Sequence, residues 1–281
     1  MSKGINVLSL FGGIETGLQA LKELDIKVNK YYSSEIDKRS LEVTKYNHPE
    51  VIHLGDITKW KEWNIPENID LIFNGSPCQD LSIAMSNRKG LEGNKSSLFY
   101  VAKEIMGYYK PTYFLFENVA RMPKEDKEII TKLLGVEPIR INSKLVTGAL
   151  RDRLYWTNIP QKEELSYLGI KLQDVLIEGY TDREKARALL SSDSRPLKDP
   201  EKMYRRYTKT GFTTIVFKDK NLDYKKGIRY LNQTELERLQ GFPEGYTKPL
   251  NRNQAAFCLG NAWTLPVIKH LIKPLKEIYE R

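Results

Sequence analysis

Between residues 5 and 119 the chain repeatedly runs from a short apolar segment into a polar or glycine-containing turn, and then into a segment with helical spacing. INVLSLF (residues 5–11) is short and apolar, as a buried parallel strand is. Glycines at 12 and 13 follow, and ETGLQALKELDI then sets Leu18, Ala20, Leu21 and Leu24 on one helical face. KYYSSE, VIHLGD, IDLIFNGSPC and TYFLFENV read as further strands, and DKRSLEVTKYN, SSLFYVAKEIMGYY and KEDKEIITKLL as helices. Such alternation predicts an α/β fold, a doubly wound and mostly parallel sheet.

The alternation breaks after LYWTNIP. From there to about residue 226 the chain is polar and basic, with one strand-like segment, GFTTIVF. Thr181 to Arg229 holds 14 Lys and Arg against 7 Asp and Glu, so most of the net charge of +9 sits in this stretch. A basic stretch of this kind is either a solvated surface or a face for a polyanion. Helical spacing resumes in NQTELERLQG, with Asn232 as N-cap, Glu235 three residues on and Gly241 past the end. LPVIKHLIKPLKEIY closes the pattern as an amphipathic segment bent at Pro274. The expected organisation is a core over 1–157, a small basic region over 158–226, and a segment over 227–281 that completes the core.

No run of about 18 apolar residues occurs, which argues against a membrane span. MSKGINVLSLFGG lacks the apolar stretch and cleavage site of a secretory signal. Cys78 and Cys258 are the two cysteines, too far apart in sequence for a zinc pattern, and they fit a reducing cytoplasm.

Four segments carry chemistry. In LSLFGGIETG a strand runs into glycines and a helix start, where the backbone can approach a ligand closely and free N–H groups are on offer. It is not GxGxxG, so a dinucleotide is disfavoured. Glu35 ends the next strand, where an acid can bind ribose hydroxyls, and Asp56 ends the one after. In NGSPCQDLS, Cys78 lies just past an apolar strand in a polar turn, with Pro77 fixing the backbone before it. Cys258, in AFCLGN, has the setting of a packing cysteine instead. In FLFENV, Glu117 follows apolar residues, so it is either a partly desolvated proton carrier or a carboxylate satisfied by a helix N-terminus. In RDRLYW, Arg151 and Arg153 alternate, so one side of a strand can aim both into a pocket, toward a base carbonyl, the glutamate or a phosphate.

Taken in order, FGGIETG, the strand ending in Glu35, Asp56, GSPCQDLS, ENV, RDR, RYLNQTELERLQGFP and GNAWTLPV closely resemble the cytosine-5 DNA methyltransferase family. The match spans almost all the chain outside about 158–226. Within the family the likeness is greatest to the catalytic domain of the animal de novo DNA methyltransferases, through PCxDLS, SNRKGL and PVIKHLIKPLKE. The resemblance implies a Rossmann-like class I methyltransferase with a small basic target-recognition insert. Its reaction would be methyl transfer from S-adenosyl-L-methionine, leaving S-adenosyl-L-homocysteine, to carbon 5 of a flipped cytosine in double-stranded DNA, without a metal.

By resemblance Cys78 is the nucleophile, Glu117 holds cytosine N3, and Arg151 and Arg153 complete the catalytic set, Arg153 at the base carbonyl. Phe11, Gly12, Gly13, Ile14, Glu15, Thr16, Glu35, Ile36, Asp56, Ile57, Thr58, Pro77, Asn261, Ala262 and Trp263 are the expected cofactor contacts. Two positions depart from the usual family pattern. Ala149 replaces a Gln, and Asn261, Ala262 and Trp263 replace Asn-Ser-Val; both departures also occur in the de novo branch. The segment from Asp80 to Ser97 is the candidate loop that closes on DNA, with Ser82, Ala84, Met85, Asn87, Arg88 and Lys89 as contacts and Met85 as the wedge into the vacated stack. Arg205, Arg206 and Lys209 are the candidate base readers of the insert. Rival readings are a tRNA cytosine-5 methyltransferase of the same fold and a catalytically silent DNA-binding relative. The expected location is the cytoplasm of a prokaryote or of a viral host. The target sequence, a restriction partner and the oligomeric state are left open, and a homo-oligomer is compatible with the sequence.

Overall fold

In the computed structural model, which describes residues 4–76, 98–189, 195–211 and 213–280, the alternation becomes one seven-stranded sheet. Its strands are β1 (Ile5–Leu10), β2 (Val28–Ser34), β3 (Ile52–His53), β4 (Leu71–Asn74), β5 (Tyr113–Val119), β6 (Ile139–Asn142) and β7 (Asp152–Thr157). They lie in the order β3-β2-β1-β4-β5-β7-β6. All are parallel except β7, which runs antiparallel to both its neighbours. The doubly wound, mostly parallel sheet expected from the sequence is therefore present. The VIHLGD segment contributes only two paired residues, at an exposed edge where Ile52 faces solvent.

Side chains alternate across the sheet and divide the apolar core into two layers. Val7, Tyr31, Leu71, Phe73, Leu115 and Tyr155 face α1 (Thr16–Glu23) and the C-terminal helices. Leu8, Leu10, Tyr32, Ile72, Phe116 and Trp156 face α3 (Leu98–Tyr109) and α4 (Lys124–Leu134). Helix α2 (Lys38–Asn47) is capped by Asp37, whose carboxylate accepts from the backbone N–H groups of Arg39 and Ser40.

The basic stretch is divided between two cores. Leu172 and Val175 of α5 (Leu172–Val175), with Ala186 and Leu189, pack into the large cluster. Helix α6 (Pro200–Thr210) and the antiparallel pair β8 (Ile215–Phe217) and β9 (Ile228–Tyr230) form a small unit around Met203, Tyr207, Phe217 and Ile228. There Tyr204 stacks face to face on Tyr224 at 4.0 Å. Strand β9 carries this unit past residue 226. The chain then returns to the large core as α7 (Gln233–Gln240), α8 (Arg252–Asn261), α9 (Leu265–Ile272) and α10 (Pro274–Tyr279). The capping box of Asn232 with Glu235 and the left-handed Gly241 at the end of α7 are as the sequence predicts, and so is the break between α9 and α10 at Pro274. Among the described residues no helix is long and apolar enough to cross a membrane.

Glu235 joins the small unit to the core. Its side chain is fully buried and accepts from both terminal nitrogens of Arg229 on β9, at 2.6 and 2.7 Å. It also accepts from the backbone N–H groups of Ile177 and Asn232, both at 2.9 Å. Burial pushes its pKa up, but the Arg229 hydrogen bonds and the two backbone donors outweigh that and hold it below the usual carboxylate range. Removing one partner of a buried ion pair strands the other and costs about 3–5 kcal/mol. Glu235→Ala is therefore expected to lose stability of that order in urea denaturation. A loss under about 1 kcal/mol would show that packing alone holds this junction.

Candidate active site

One row of the sheet register assembles the site. Leu10 pairs with Ser34 on one side and Asn74 on the other, and Asn74 pairs with Phe116. One residue further along each strand lie Phe11, Glu35, Gly75 and Glu117, all at the carboxyl edge, where β1 has neighbours leading in both directions. That crevice is where open α/β sheets bind ligands.

The turn after β1 is wound by three left-handed residues, Phe11, Gly13 and Glu15, with φ of 57°, 58° and 58°. Two of them carry side chains, a costly conformation that persists where the surroundings enforce it. Glu35 fastens the turn: its carboxylate accepts from Gly13 N at 2.8 Å and from Ile36 N and Asp37 N, both at 2.7 Å. Ile36, beside it, is 69% exposed, an unusual place for a large apolar side chain. Asp56 accepts from the backbone N–H and hydroxyl of Thr58, both at 2.9 Å, and the backbone bond first and the hydroxyl second hold its pKa below the ordinary carboxylate value. Phe11, Gly12, Gly13, Thr16, Gly75, Asn261, Ala262 and Trp263 share the lining of a small cavity of about 40 Å³. The expected cofactor contacts at the N-terminal turn and at residues 261–263 thus meet although far apart in sequence.

Three of those expected contacts turn away from the cavity. Ile14 is buried in the core and its carbonyl accepts from Tyr246. Ile57 is buried beneath the sheet edge. Glu15, 1% exposed, accepts from Tyr31 at 2.8 Å and from Ser33. A methyl group at Gly12 would overlap the Glu15 carboxylate, so the turn rests directly on this buried acid.

Glu117 continues the face occupied by Leu115, so it points toward the C-terminal helices. It is 8% exposed. Arg153 Nε lies 2.7 Å from its Oε1, and Trp263 Nε1 donates to its Oε2 at 3.2 Å. Among the described residues no donor hydrogen is aligned on Oε1, despite the nearby guanidinium. Arg151 and Arg153 reach the same face, as their alternation predicts, but do different work. Arg151 lies just before β7 and donates to the carbonyls of Gly260 at 3.0 Å and Ala262 at 2.8 Å, which braces the link between α8 and α9. Arg153 reaches the carboxylate. Cys258 is buried, 3.9 Å from the Ser40 hydroxyl, and burial pushes its thiol up to about 12, as suits a packing cysteine.

The expected contacts Pro77, Cys78, Ser82, Ala84, Met85, Asn87, Arg88 and Lys89 lie outside the described residues. Arg205 and Lys209 are exposed one turn apart on α6, with Arg206 half-buried between them. Sequence reasoning missed an open groove of about 710 Å³ between the β6–β7 turn and the basic stretch, lined by Lys144, Tyr167, Arg183, Lys185 and Arg187 among others. Arg183 and Lys185 are tied into it: Arg183 lies over Tyr207 and donates to Gly211 O, and Lys185 donates to three backbone carbonyls. Lys144 and Arg187 are exposed. Local sequence holds no signal for this groove, because its walls are some 40 residues apart.

Residues 4–136 and 150–277 match the family model described as C-5 cytosine-specific DNA methylase. The type II methyltransferase M.NlaX of Neisseria lactamica is 28% identical over 314 residues, covering 98% of this chain and 96% of its own. The orphan methyltransferase M.SPRI of Bacillus phage SPR is 28% identical over 262 residues, 92% of this chain, which spans only 58% of the phage protein. Among solved structures, the Entamoeba histolytica methyltransferase EhMeth superposes with a TM-score of 0.71 at 18% identity, over 98% of this chain and 99% of that one. Dnmt2 methyltransferase of S. pombe gives 0.67 at 18% identity over the same shares. At that identity the two structures show a shared fold.

Burial raises the Glu15 pKa from 4.5 to about 7, against the opposing hydrogen bonds of Ser33, Tyr31 and Ser9 and with Glu35 adding to the rise. Below about pH 4.5 both folded and unfolded chains hold the proton. Between there and about pH 7 the unfolded chain releases it freely and the folded chain does not, so stability falls as pH rises. Glu15→Gln removes this slope. Relative to wild type it is expected to gain up to about 3 kcal/mol at pH 8 and nothing at pH 4. A stability difference in urea that is the same at both pH values would refute the buried titration.

Proposed function

The chain belongs to the C-5 cytosine-specific DNA methylase family and is a DNA cytosine-5 methyltransferase, and from that premise we propose how its residues divide the reaction. The observation that carries the reading is Glu117: a buried carboxylate, flanked by Arg153 and Trp263, at the same sheet edge as the glycine turn.

The fit of S-adenosyl-L-methionine rests on the glycine turn. Gly13 carries no side chain, and Glu35, just past β2, and Asp56, in the turn after β3, have backbone donors already fixing their orientation. Phe11, Gly12, Gly13, Thr16 and Asn261 to Trp263 would hold the methionine end, Glu35 the ribose hydroxyls, with exposed Ile36 against the base, and Asp56 and Thr58 the adenine. Pro77 would close the seat. Ile14, Glu15 and Ile57 act from beneath it, by supporting the turn. When bound, S-adenosyl-L-methionine supplies an electrophilic methyl group. No metal is required, since Glu117 and Arg153 supply the proton contact and the charge.

Carbon 5 of cytosine is a weak nucleophile, and the residues act to change that. The Cys78 thiolate adds to carbon 6; the carbon–sulfur bond forms as the 5,6 double bond opens and its electron pair moves to carbon 5. Glu117 holds N3 and the exocyclic amine, and Arg153 holds the carbonyl as charge builds on the ring. Once carbon 5 carries the methyl group it loses its proton to a water molecule acting as base, the C5–H electron pair restores the 5,6 double bond, and the carbon–sulfur bond breaks to release Cys78 as thiolate. A base inside a duplex cannot reach these groups, so the cytosine flips out at a cost of a few kcal/mol.

Double-stranded DNA would lie across the seam between residues 1–157, the core, and 158–226, the recognition region, with 227–281 completing the core. On this reading the segment containing Ser82, Ala84, Met85, Asn87, Arg88 and Lys89 would contact the DNA, with Met85 to fill the gap left by the flipped base. Arg205, Arg206 and Lys209 read bases, and the groove of Lys144 and Arg187 follows the phosphates. The reaction belongs in the cytoplasm of a prokaryote or of a viral host, as the bacterial and phage relatives suggest.

Purified protein with labelled S-adenosyl-L-methionine is expected to methylate carbon 5 of cytosine in duplex DNA and not in tRNA; transfer to tRNA alone would move the substrate to RNA. Cys78→Ser is expected to abolish transfer and keep duplex binding, and 5-fluorocytosine at the target to trap wild type covalently, because its carbon 5 has no proton to lose. Substantial turnover by the serine variant would overturn the covalent route. Glu35→Ala is expected to weaken S-adenosyl-L-methionine binding in calorimetry by about tenfold, the worth of a hydrogen bond to a charged group, with DNA affinity kept.

A further inference from the structure

Trp263 reaches the site from the link between α8 and α9 and not from the sheet, and three restraints fix it. Its ring meets Phe73 edge-on, with centroids 5.8 Å apart at 85°. Its Nε1 would sit 3.1 Å from a Cβ at Gly75, so the indole lies close against the end of β4, where any side chain at position 75 would press on it. The carbonyls of Gly260 and Ala262, just ahead of it in the chain, are held by the Arg151 guanidinium. So placed, its N–H donates to Glu117 Oε2.

The same ring is a wall of the cavity at the glycine turn, beside Gly12, Gly13 and Asn261. One side chain thus borders the cofactor seat and bonds the carboxylate of the base site. The division of labour on the carboxylate follows. Oε2 is engaged by the indole; Oε1 is ion-paired with Arg153 Nε at 2.7 Å, but no donor hydrogen among the described residues is aligned on it, so it can still accept an incoming N–H.

We propose that Trp263 is a positioning residue of the reaction: its indole N–H holds Glu117 Oε2 so that Oε1 meets the flipped cytosine, and its ring carries the geometry of the cofactor side to the base side. Arg151 acts one step further back, by setting the link that presents Trp263. The inference rests on the functional reading above, since it needs Glu117 to touch the base.

Trp263→Phe keeps a ring against Phe73 and Gly75 and removes the N–H. Methyl transfer is read in a single turnover at saturating S-adenosyl-L-methionine and DNA, alongside cofactor affinity by calorimetry and covalent trapping on 5-fluorocytosine DNA. Loss of one hydrogen bond to a charged group is expected to slow transfer and trapping about tenfold or more, with cofactor affinity kept within about twofold. A merely structural or cofactor-binding role gives the opposite split, weaker cofactor binding with the wild-type rate restored at saturation, and would overturn the proposal. So would a Phe variant equal to wild type in every readout. If the Phe variant melts before assay, Trp263→Leu, which removes the N–H and the ring together, is read in the same way, and a wild-type rate in that variant overturns the proposal. Wild-type protein that transfers no methyl group to DNA overturns the functional reading itself, a result distinguishable from an active wild type with an equally active variant.

Discussion

The active-site edge depends on β7 lying antiparallel between β5 and β6. A parallel strand in that place would put its first residues at the opposite edge of the sheet. Running backwards, β7 starts where β5 ends, with Arg153 opposite Val119 and Tyr155 opposite Glu117. The pleat then sends Arg151, Arg153 and Glu117 to one face. The face is the one covered by the C-terminal helices, so Arg151 finds the carbonyls of Gly260 and Ala262 and Arg153 finds the carboxylate. Change the direction of that strand and both arginines lose their partners together.

Elsewhere in the molecule, carboxylates are held by backbone as much as by opposite charge. Glu35 is fixed by three main-chain N–H groups, and Glu235 by two beside Arg229. Glu237 of α7, 1% exposed, accepts from the N–H groups of Gly245 and Thr247, both at 2.7 Å. Main-chain donors do not change rotamer, so carboxylates oriented this way stay where the fold puts them. Glu15 differs: its donors are the side chains of Tyr31 and Ser33, and it is the acid that burial raises to about 7.

Much of this was legible in the sequence where the pattern is local. The Asn232–Glu235–Gly241 signals mark α7 because a capping box and a left-handed terminus need particular residues at fixed spacing. The alternation of Arg151 and Arg153 gave their shared face. What was not legible depends on partners distant in sequence. IRIN shows nothing of strand β6 until β7 pairs with it. Helix α8 groups the polar residues Arg252, Asn253 and Gln254 in its first turn, ahead of Ala255, Ala256, Cys258 and Leu259, and so has no polar face along its length to reveal its period. Glu15 reads as a ligand-facing residue of a glycine turn, and only the positions of Tyr31 and Ser33 explain why it points inward. Trp263 reads as a cofactor contact, and only the approach of Gly75 and Glu117 gives its indole nitrogen a second task.

The C-terminal return has a consequence for synthesis. Helix α9 packs against α1, and residues 261–263 complete the cavity that the first glycine turn begins. A nascent chain on the ribosome has α1, β5 and β7 in hand while the buried positions of α1 still lack their cover. The small unit of α6, β8 and β9 also emerges before the helices that close the core. Glu117 is then in place but has no Trp263 to orient it, and Arg151 has no carbonyls to hold. The order of translation therefore leaves this edge incomplete until its last part emerges: a chain interrupted before residue 263 could carry every sheet residue of the edge and still leave the Glu117 carboxylate without the indole N–H that meets it in the folded protein.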